Sequence, residues 1–156
     1  MFTEEQKLEI IDYLIDTPGK VYLGGDSQKF KKNGKFYAKF TVVFIVHIND
    51  KNGGKIFHYT DVEPVYDKVK DKPRLRLMME VRKIVDAYLE FGELLEDREV
   101  QIHLDINSEE QHNSSIVMRE ALGYVLGMTG IEAKVKPQAW AAAHAGDHFV
   151  RGKHNR

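Results

Sequence analysis

The sequence predicts an α/β fold: a five-stranded mixed sheet, three antiparallel strands followed by two parallel ones, flanked by helices and preceded by an extra N-terminal helix. Three observations predict it. Apolar residues alternate with a period of two through three stretches before residue 60, and turn-forming residues separate those stretches. From about residue 72 the apolar spacing becomes that of an amphipathic helix. Two further strand-like runs, near 99–106 and 131–136, each follow a helical stretch, which is the pattern of right-handed crossovers to parallel strands.

Taken in order, Thr3 and Gln6 form a capping box for a first helix over about 3–16, with Leu8, Ile11, Tyr13, Leu14 and Ile15 near helical spacing. Thr17-Pro18-Gly19 ends it. A first strand runs from about Lys20 to Asp26, with Val21 and Leu23 on one side and Tyr22, Gly24 and Asp26 on the other. Asn33-Gly34 is a hairpin signal, and the strand after it, Phe36 to Ile48, is apolar at both parities, as expected of a strand buried on both faces. A turn over Asn49 to Gly54 leads to a third strand, Lys55 to Thr60. A helix from about Lys72-Pro73 to Leu95 carries the stripe Met78, Val81, Val85, Tyr88 and Leu89. Then come a strand at Glu99 to Ile106, a helix from about Asn113 to Gly127, a strand at Ile131 to Lys136, and a last helix from about Gln138 to Val150. Arg151 to Arg156 is a basic tail. The three antiparallel strands and two crossovers make a ribonuclease H-like topology.

At 156 residues, with no repeat, low-complexity tract or linker, the chain reads as one domain over 1–156. Hydrophobic residues make up 42% and charged residues 30%, which excludes general disorder. The formal net charge is −1, so attraction to phosphate must come from a local basic patch. There is no cysteine, so disulfides and thiolate metal sites are excluded and only oxygen and imidazole ligands remain. Neither a signal peptide nor a membrane-spanning run is seen, and the expected location is cytoplasmic.

In such a sheet the first and fourth strands are neighbours, so Asp26 and Asp105 face one another from adjacent strands. Glu80 lies at the margin of the apolar stripe of its helix, within reach of the sheet. In the last helix Ala139, Ala142, Gly146, Phe149 and Val150 share a small-residue face, with Trp140, His144 and Asp147 on the adjoining stripe. Four carboxylates in one cleft repel one another unless cations neutralise them, and two divalent ions roughly 4 Å apart suit an in-line phosphoryl displacement. An all-oxygen set selects Mg²⁺ or Mn²⁺. Gly24 and Gly25 leave room beside Asp26 for ions and a phosphate. The alternatives are ordinary: a turn-starting Asp26, a solvent-facing Glu80 paired with Arg76 or Lys83, and a strand-end Asp105.

Tyr22-Leu23-Gly24-Gly25-Asp26-Ser27-Gln28, His103-Leu104-Asp105-Ile106-Asn107 and Lys136-Pro137-Gln138-Ala139-Trp140-Ala141-Ala142-Ala143-His144-Ala145-Gly146-Asp147-His148 together resemble the small RNase H-like family typified by YkuK. The resemblance covers almost all of residues 21–150. It implies a fold shared with ribonuclease H and RuvC-type resolvases, an Asp, Glu, Asp, Asp metal site at Asp26, Glu80, Asp105 and Asp147, and nuclease activity. His144 and His148 have the His-x-x-x-His spacing of helical zinc sites, but Ala145 stands where zinc hydrolases have a glutamate base, so proton transfer, product release or phosphate binding is the preferred role. Lys29, Lys31, Lys32 and Lys35, interleaved with Phe30 and Phe36, form a candidate nucleic-acid contact.

The sequence therefore leads to a Mg²⁺- or Mn²⁺-dependent phosphodiester hydrolase acting on RNA, an RNA/DNA hybrid or structured DNA. Asp26, Glu80, Asp105 and Asp147 would be its metal ligands, with His144 and His148 assisting. The alternative is a non-catalytic nucleic-acid or nucleotide binding or adaptor protein on the same fold, which the near-neutral charge motivates.

Overall fold

The structure, a computed structural model, describes residues 1–49, 53–66, 74–107 and 112–136. Its elements are α1 (Glu4–Asp16), β1 (Lys20–Lys32), β2 (Lys35–Asn49), β3 (Gly53–Pro64), α2 (Arg74–Glu90), α3 (Gly92–Leu95), β4 (Val100–Asn107), α4 (His112–Thr129) and β5 (Lys134–Lys136). The five strands form one sheet in the order β3-β2-β1-β4-β5. β1 pairs antiparallel with β2 and β2 with β3, while β4 is parallel to both β1 and β5. This is the expected fold class. The expected last helix, Gln138 to Val150, and the basic tail lie outside the described residues.

The capping box forms as expected. Gln6 N donates to Thr3 Oγ1 at 3.1 Å and Thr3 N to Gln6 Oε1 at 3.0 Å, so two N-terminal amides of α1 are satisfied locally. The buried face of α1 is Ile10 and Leu14, one turn apart, whereas Leu8 and Ile15 are exposed. The first two strands run longer than expected, right up to the turn. Asn33 (φ 53°) and Gly34 (φ 76°) are both left-handed and join Lys32 to its partner Lys35, so the ladder extends seven pairs beyond that of Gly25 with Val42. The expected long helix after the meander is interrupted at Phe91 (φ −111°, ψ 14°). That ring is buried edge-on against Phe2 and Phe44, and the chain restarts as the short α3. Leu89 falls off the stripe and is 45% exposed, while Ile84 joins Val81 and Val85 as its centre.

Strand alternation sorts the sheet into two faces. One carries Val21, Leu23, Val42, Phe44, Val46, Ile102, Leu104 and Ile106, all in a single core with Ile10 and Leu14 of α1, Val81, Ile84 and Val85 of α2, and Ala121 and Val125 of α4. The other carries a separate buried cluster of Tyr22, Val43 and Ile45. β2 is buried from Phe40 to Val46 at both parities, as its sequence predicts. α2 lies on β1 so closely that a Cβ at Gly25 would stand 2.8 Å from the Thr41 carbonyl oxygen and 3.2 Å from Ile84 Cδ1. The space at Gly25 is therefore taken by the sheet and α2 and not left for a ligand. Among the described residues no helix is long and apolar enough to cross a membrane.

Candidate active site

β1 is paired on both sides only over its first half: its register with β4 runs from Val21 opposite Val100 to Gly24 opposite His103. Two residues further along each strand, on the same face as Gly24 and His103, stand Asp26 and Asp105. Both are partly buried. The parallel register thus puts the two acids on one face of neighbouring strands, just past the paired residues.

Glu80 comes to the same place from α2. It is 2% exposed, so the solvent-facing alternative does not hold. Its Oε1 accepts a 2.7 Å hydrogen bond from Ser27 Oγ, and Arg76 Nη1 donates to that same Oγ at 2.6 Å and to the Ser27 carbonyl oxygen at 3.3 Å. Ser27 N in turn donates to Asp26 Oδ1 at 2.8 Å. Ser27 thus links the strand acid to the helix acid. Lys83, the other partner considered for Glu80, is bonded instead to Asp61 at 3.1 Å and to Glu63.

Burial pushes the Glu80 carboxyl up to about 8, the Ser27 hydrogen bond opposes this, and the charges of Asp26 and Asp105 raise it further, with Arg76 opposing. His103, buried beside Asp105 in sequence, is pushed down to about 4 by burial and by Lys134, which keeps its ring neutral at pH 7. Its Nε2 lies 3.0 Å from Gln101 Oε1.

Of the four expected carboxylates, Asp26 and Asp105 stand on one face of adjacent strands and Glu80 is linked to Asp26 through Ser27. Asp147, His144 and His148 lie outside the described residues. Among the described residues no three His, Asp or Glu side chains stand as a group able to hold a metal ion. Glu80 is turned toward Ser27 by its hydrogen bond from Ser27 Oγ. As a donor set, however, Asp26, Glu80 and Asp105 are all-oxygen and mutually repelling, which suits a hard divalent cation. Ser27 and Arg76 were not singled out as site residues from the sequence. The signal for Arg76 was its position one helical turn before Glu80, and for Ser27 its place directly after Asp26.

The basic residues of the first hairpin divide between its two faces. Lys29 and Lys31 stand over the Phe36 ring at 4.4 and 5.6 Å, while Phe30 stacks on Tyr37 on the other side with ring centroids 5.8 Å apart and planes 24° apart.

The sequence matches the family model described as "Ribonuclease H-like" over residues 5–151. No curated protein matches it. Among solved structures, similarity is found to a chain of the simian T-cell lymphotropic virus intasome in complex with PP2A regulatory subunit B56 gamma (12% identity, TM-score 0.44), to the endonuclease V of Bacillus subtilis (15%, 0.40) and to LC9-RNase H1, a type 1 RNase H with the type 2 active-site motif (11%, 0.41). Each alignment covers 87% of this chain, and respectively 40%, 60% and 69% of the other chain. All three TM-scores are below 0.5, so the family match alone carries the assignment.

Proposed function

Because this chain belongs to the ribonuclease H-like family, we propose that it is a metal-dependent phosphodiester hydrolase, a nuclease acting on RNA, an RNA/DNA hybrid or structured DNA. The observation that carries this reading is the placement of Asp26 and Asp105 on one face of adjacent parallel strands, with the buried Glu80 of α2 tied to Asp26 through Ser27.

Asp26, Glu80, Asp105 and Asp147 would hold the metal, Mg²⁺ or Mn²⁺ by the chemistry of their oxygens. Two such ions, when bound, supply charge neutralisation and water activation for an in-line displacement at phosphorus. The chain's own contribution is positional. Ser27 holds Glu80 through its hydroxyl and Asp26 through its amide, and Arg76 anchors Ser27, so a change at one acid is felt at the other. A neutral His103 adds no positive charge beside Asp105. His144 and His148 are assigned to proton transfer or phosphate contact. Lys29, Lys31, Lys32 and Lys35 are assigned to nucleic-acid binding.

Cleavage of a labelled panel of single-stranded, duplex and hybrid substrates with Mg²⁺ or Mn²⁺ tests the proposal. Asp26→Asn is expected to lower the rate at least about 100-fold, the scale of losing one electrostatic contributor. Equal rates for wild type and variant would remove the central claim. A second reading, a binding or adaptor protein without turnover, is favoured by the engagement of Glu80 with Ser27, which Arg76 holds in turn, and by the net charge of −1. Calorimetry with Mn²⁺ separates the two, because absence of binding at millimolar concentration selects the second.

A further inference from the structure

The β1–β2 hairpin continues beyond the acidic site as an arm. From Gln28 to Phe36 every residue is exposed, and β1 there has β2 on one edge, its register with β4 running only from Val21 to Gly24. The register fixes which side chains share a face. Outward from the site on one face come the cross-strand pairs Asp26 with Thr41, Gln28 with Lys39, Phe30 with Tyr37, and Lys32 with Lys35. The opposite face carries Ser27 with Phe40, Lys29 with Ala38, and Lys31 with Phe36.

The two faces differ in chemistry. β3 adds Thr60, Val62 and Pro64 to the Asp26 face, whereas its acids Asp61 and Glu63 fall on the other face, bonded to Lys83. Outward of Asp26, then, the first face carries three lysines, a stacked aromatic pair and the 57% exposed Val62, and these three strands place no carboxylate on it. On the second face Lys29 and Lys31 are drawn over the Phe36 ring. Phe30 is four residues, roughly 13 Å of strand, from Asp26. The strip follows the ribbon's twist without interruption, because the β1–β2 register has no bulge.

We infer that the Gln28, Phe30, Lys32, Lys35, Tyr37 and Lys39 face of the hairpin is a binding strip for an unpaired nucleic-acid strand leading into the Asp26 site. The inference rests on the nucleic-acid reading proposed above and narrows it to a single-stranded segment next to the scissile bond. Lysines contact the phosphates, and the Phe30–Tyr37 pair offers a ring face to an unstacked base. Bases in a duplex are already stacked on their neighbours and cannot use that platform. Of the four lysines assigned from the sequence, Lys32 and Lys35 belong to the strip and Lys29 and Lys31 do not, while Lys39 is added.

The test is fluorescence anisotropy with the full chain and labelled oligonucleotides, single-stranded and duplex, DNA and RNA, without divalent ions so that no turnover is involved. The single strand is expected to bind more tightly than its duplex. Phe30→Leu combined with Tyr37→Leu, which keeps apolar bulk on the strands but removes the ring faces, is expected to weaken single-strand binding about tenfold. Lys32→Gln with Lys35→Gln lowers the slope of log affinity against log salt by about 1.4. Lys29→Gln with Lys31→Gln is expected to cost less affinity than the Lys32 and Lys35 pair, because both cations are drawn over the Phe36 ring on the opposite face. Tighter duplex binding, no loss on removing the rings, or equal losses from the two lysine pairs would each overturn the strip. Because binding is read without cleavage, a failure here is distinct from a failure of the Asp26→Asn experiment.

Discussion

The inner and outer halves of the β1–β2 hairpin share one register and one pair of faces, yet they do different work. In the inner half, Val21 to Ser27 against Phe40 to Val46, β1 is flanked by β2 and, up to Gly24, by β4, and α2 covers it. Nearly every side chain there is buried, and the polar ones, Asp26, Ser27 and Thr41, are partly or wholly withdrawn from water. In the outer half, Gln28 to Lys32 against Lys35 to Lys39, β4 has ended and four lysines stand exposed beside aromatic rings. The same alternation that buries an acid inside lets a cation reach solvent outside. Burial, and not backbone geometry, decides whether a charged position perturbs its neighbours or simply meets a ligand.

Substitutions in matched pairs sharpen that contrast. Phe44→Ala, inside a core that also holds Leu23 and Phe91, is expected to cost about 3–5 kcal/mol, against about 0.5 kcal/mol or less for the exposed Phe36→Ala. Urea unfolding measures both, and similar costs would contradict the division into buried and open halves. Next in size is the pH dependence. Glu80 is held near 8 in the folded chain against 4.5 unfolded, so its contribution is fully present below 4.5 and is lost as pH rises through 8. The expected loss is on the order of 3 kcal/mol across that window in metal-free protein. Thermal melts of Glu80→Gln should lack this decline, while melts of Lys32→Gln retain it. A wild-type stability that stays level from pH 5 to pH 8, once compared with Glu80→Gln, would show that Glu80 is not withdrawn from water in the folded chain.

The smallest pair concerns glycines. Gly25→Ala puts a methyl group 2.8 Å from a carbonyl oxygen and is expected to cost about 2 kcal/mol by overpacking. Gly34→Ala meets nothing within 4 Å and is expected to cost about 1 kcal/mol, from its left-handed φ alone. Equal chemical-denaturation midpoints for the two would mean that α2 does not press on β1.

Much of the site was legible because its strand acids obey short-range rules. Period-two alternation placed Asp26 opposite to Val21 and Leu23 and Asp105 opposite to Leu104, and the crossover order made their strands neighbours. Glu80 was harder. No distinctive motif surrounds it, and a glutamate four residues from an arginine on a helix is ordinarily a surface pair. Its burial depends on how α2 rotates onto the sheet, which Ile84 seated against Gly25 helps fix. Likewise the basic hairpin was visible as a composition, but its division into two faces needed the register, since shifting the pairing by one residue would exchange Lys29 for Phe30.

By itself the sequence determined the element types, their order and the parallel neighbourhood of β1 and β4, because periodicity, capping and turn chemistry are set by nearby residues. Only the tertiary structure decided that Ser27 joins Asp26 to Glu80, that the space at Gly25 belongs to α2, and that the strand carrying Asp26 runs on into an exposed arm. Those outcomes depend on side chains tens of residues apart meeting in a water-poor layer, where distance and desolvation govern the energy and sequence spacing does not.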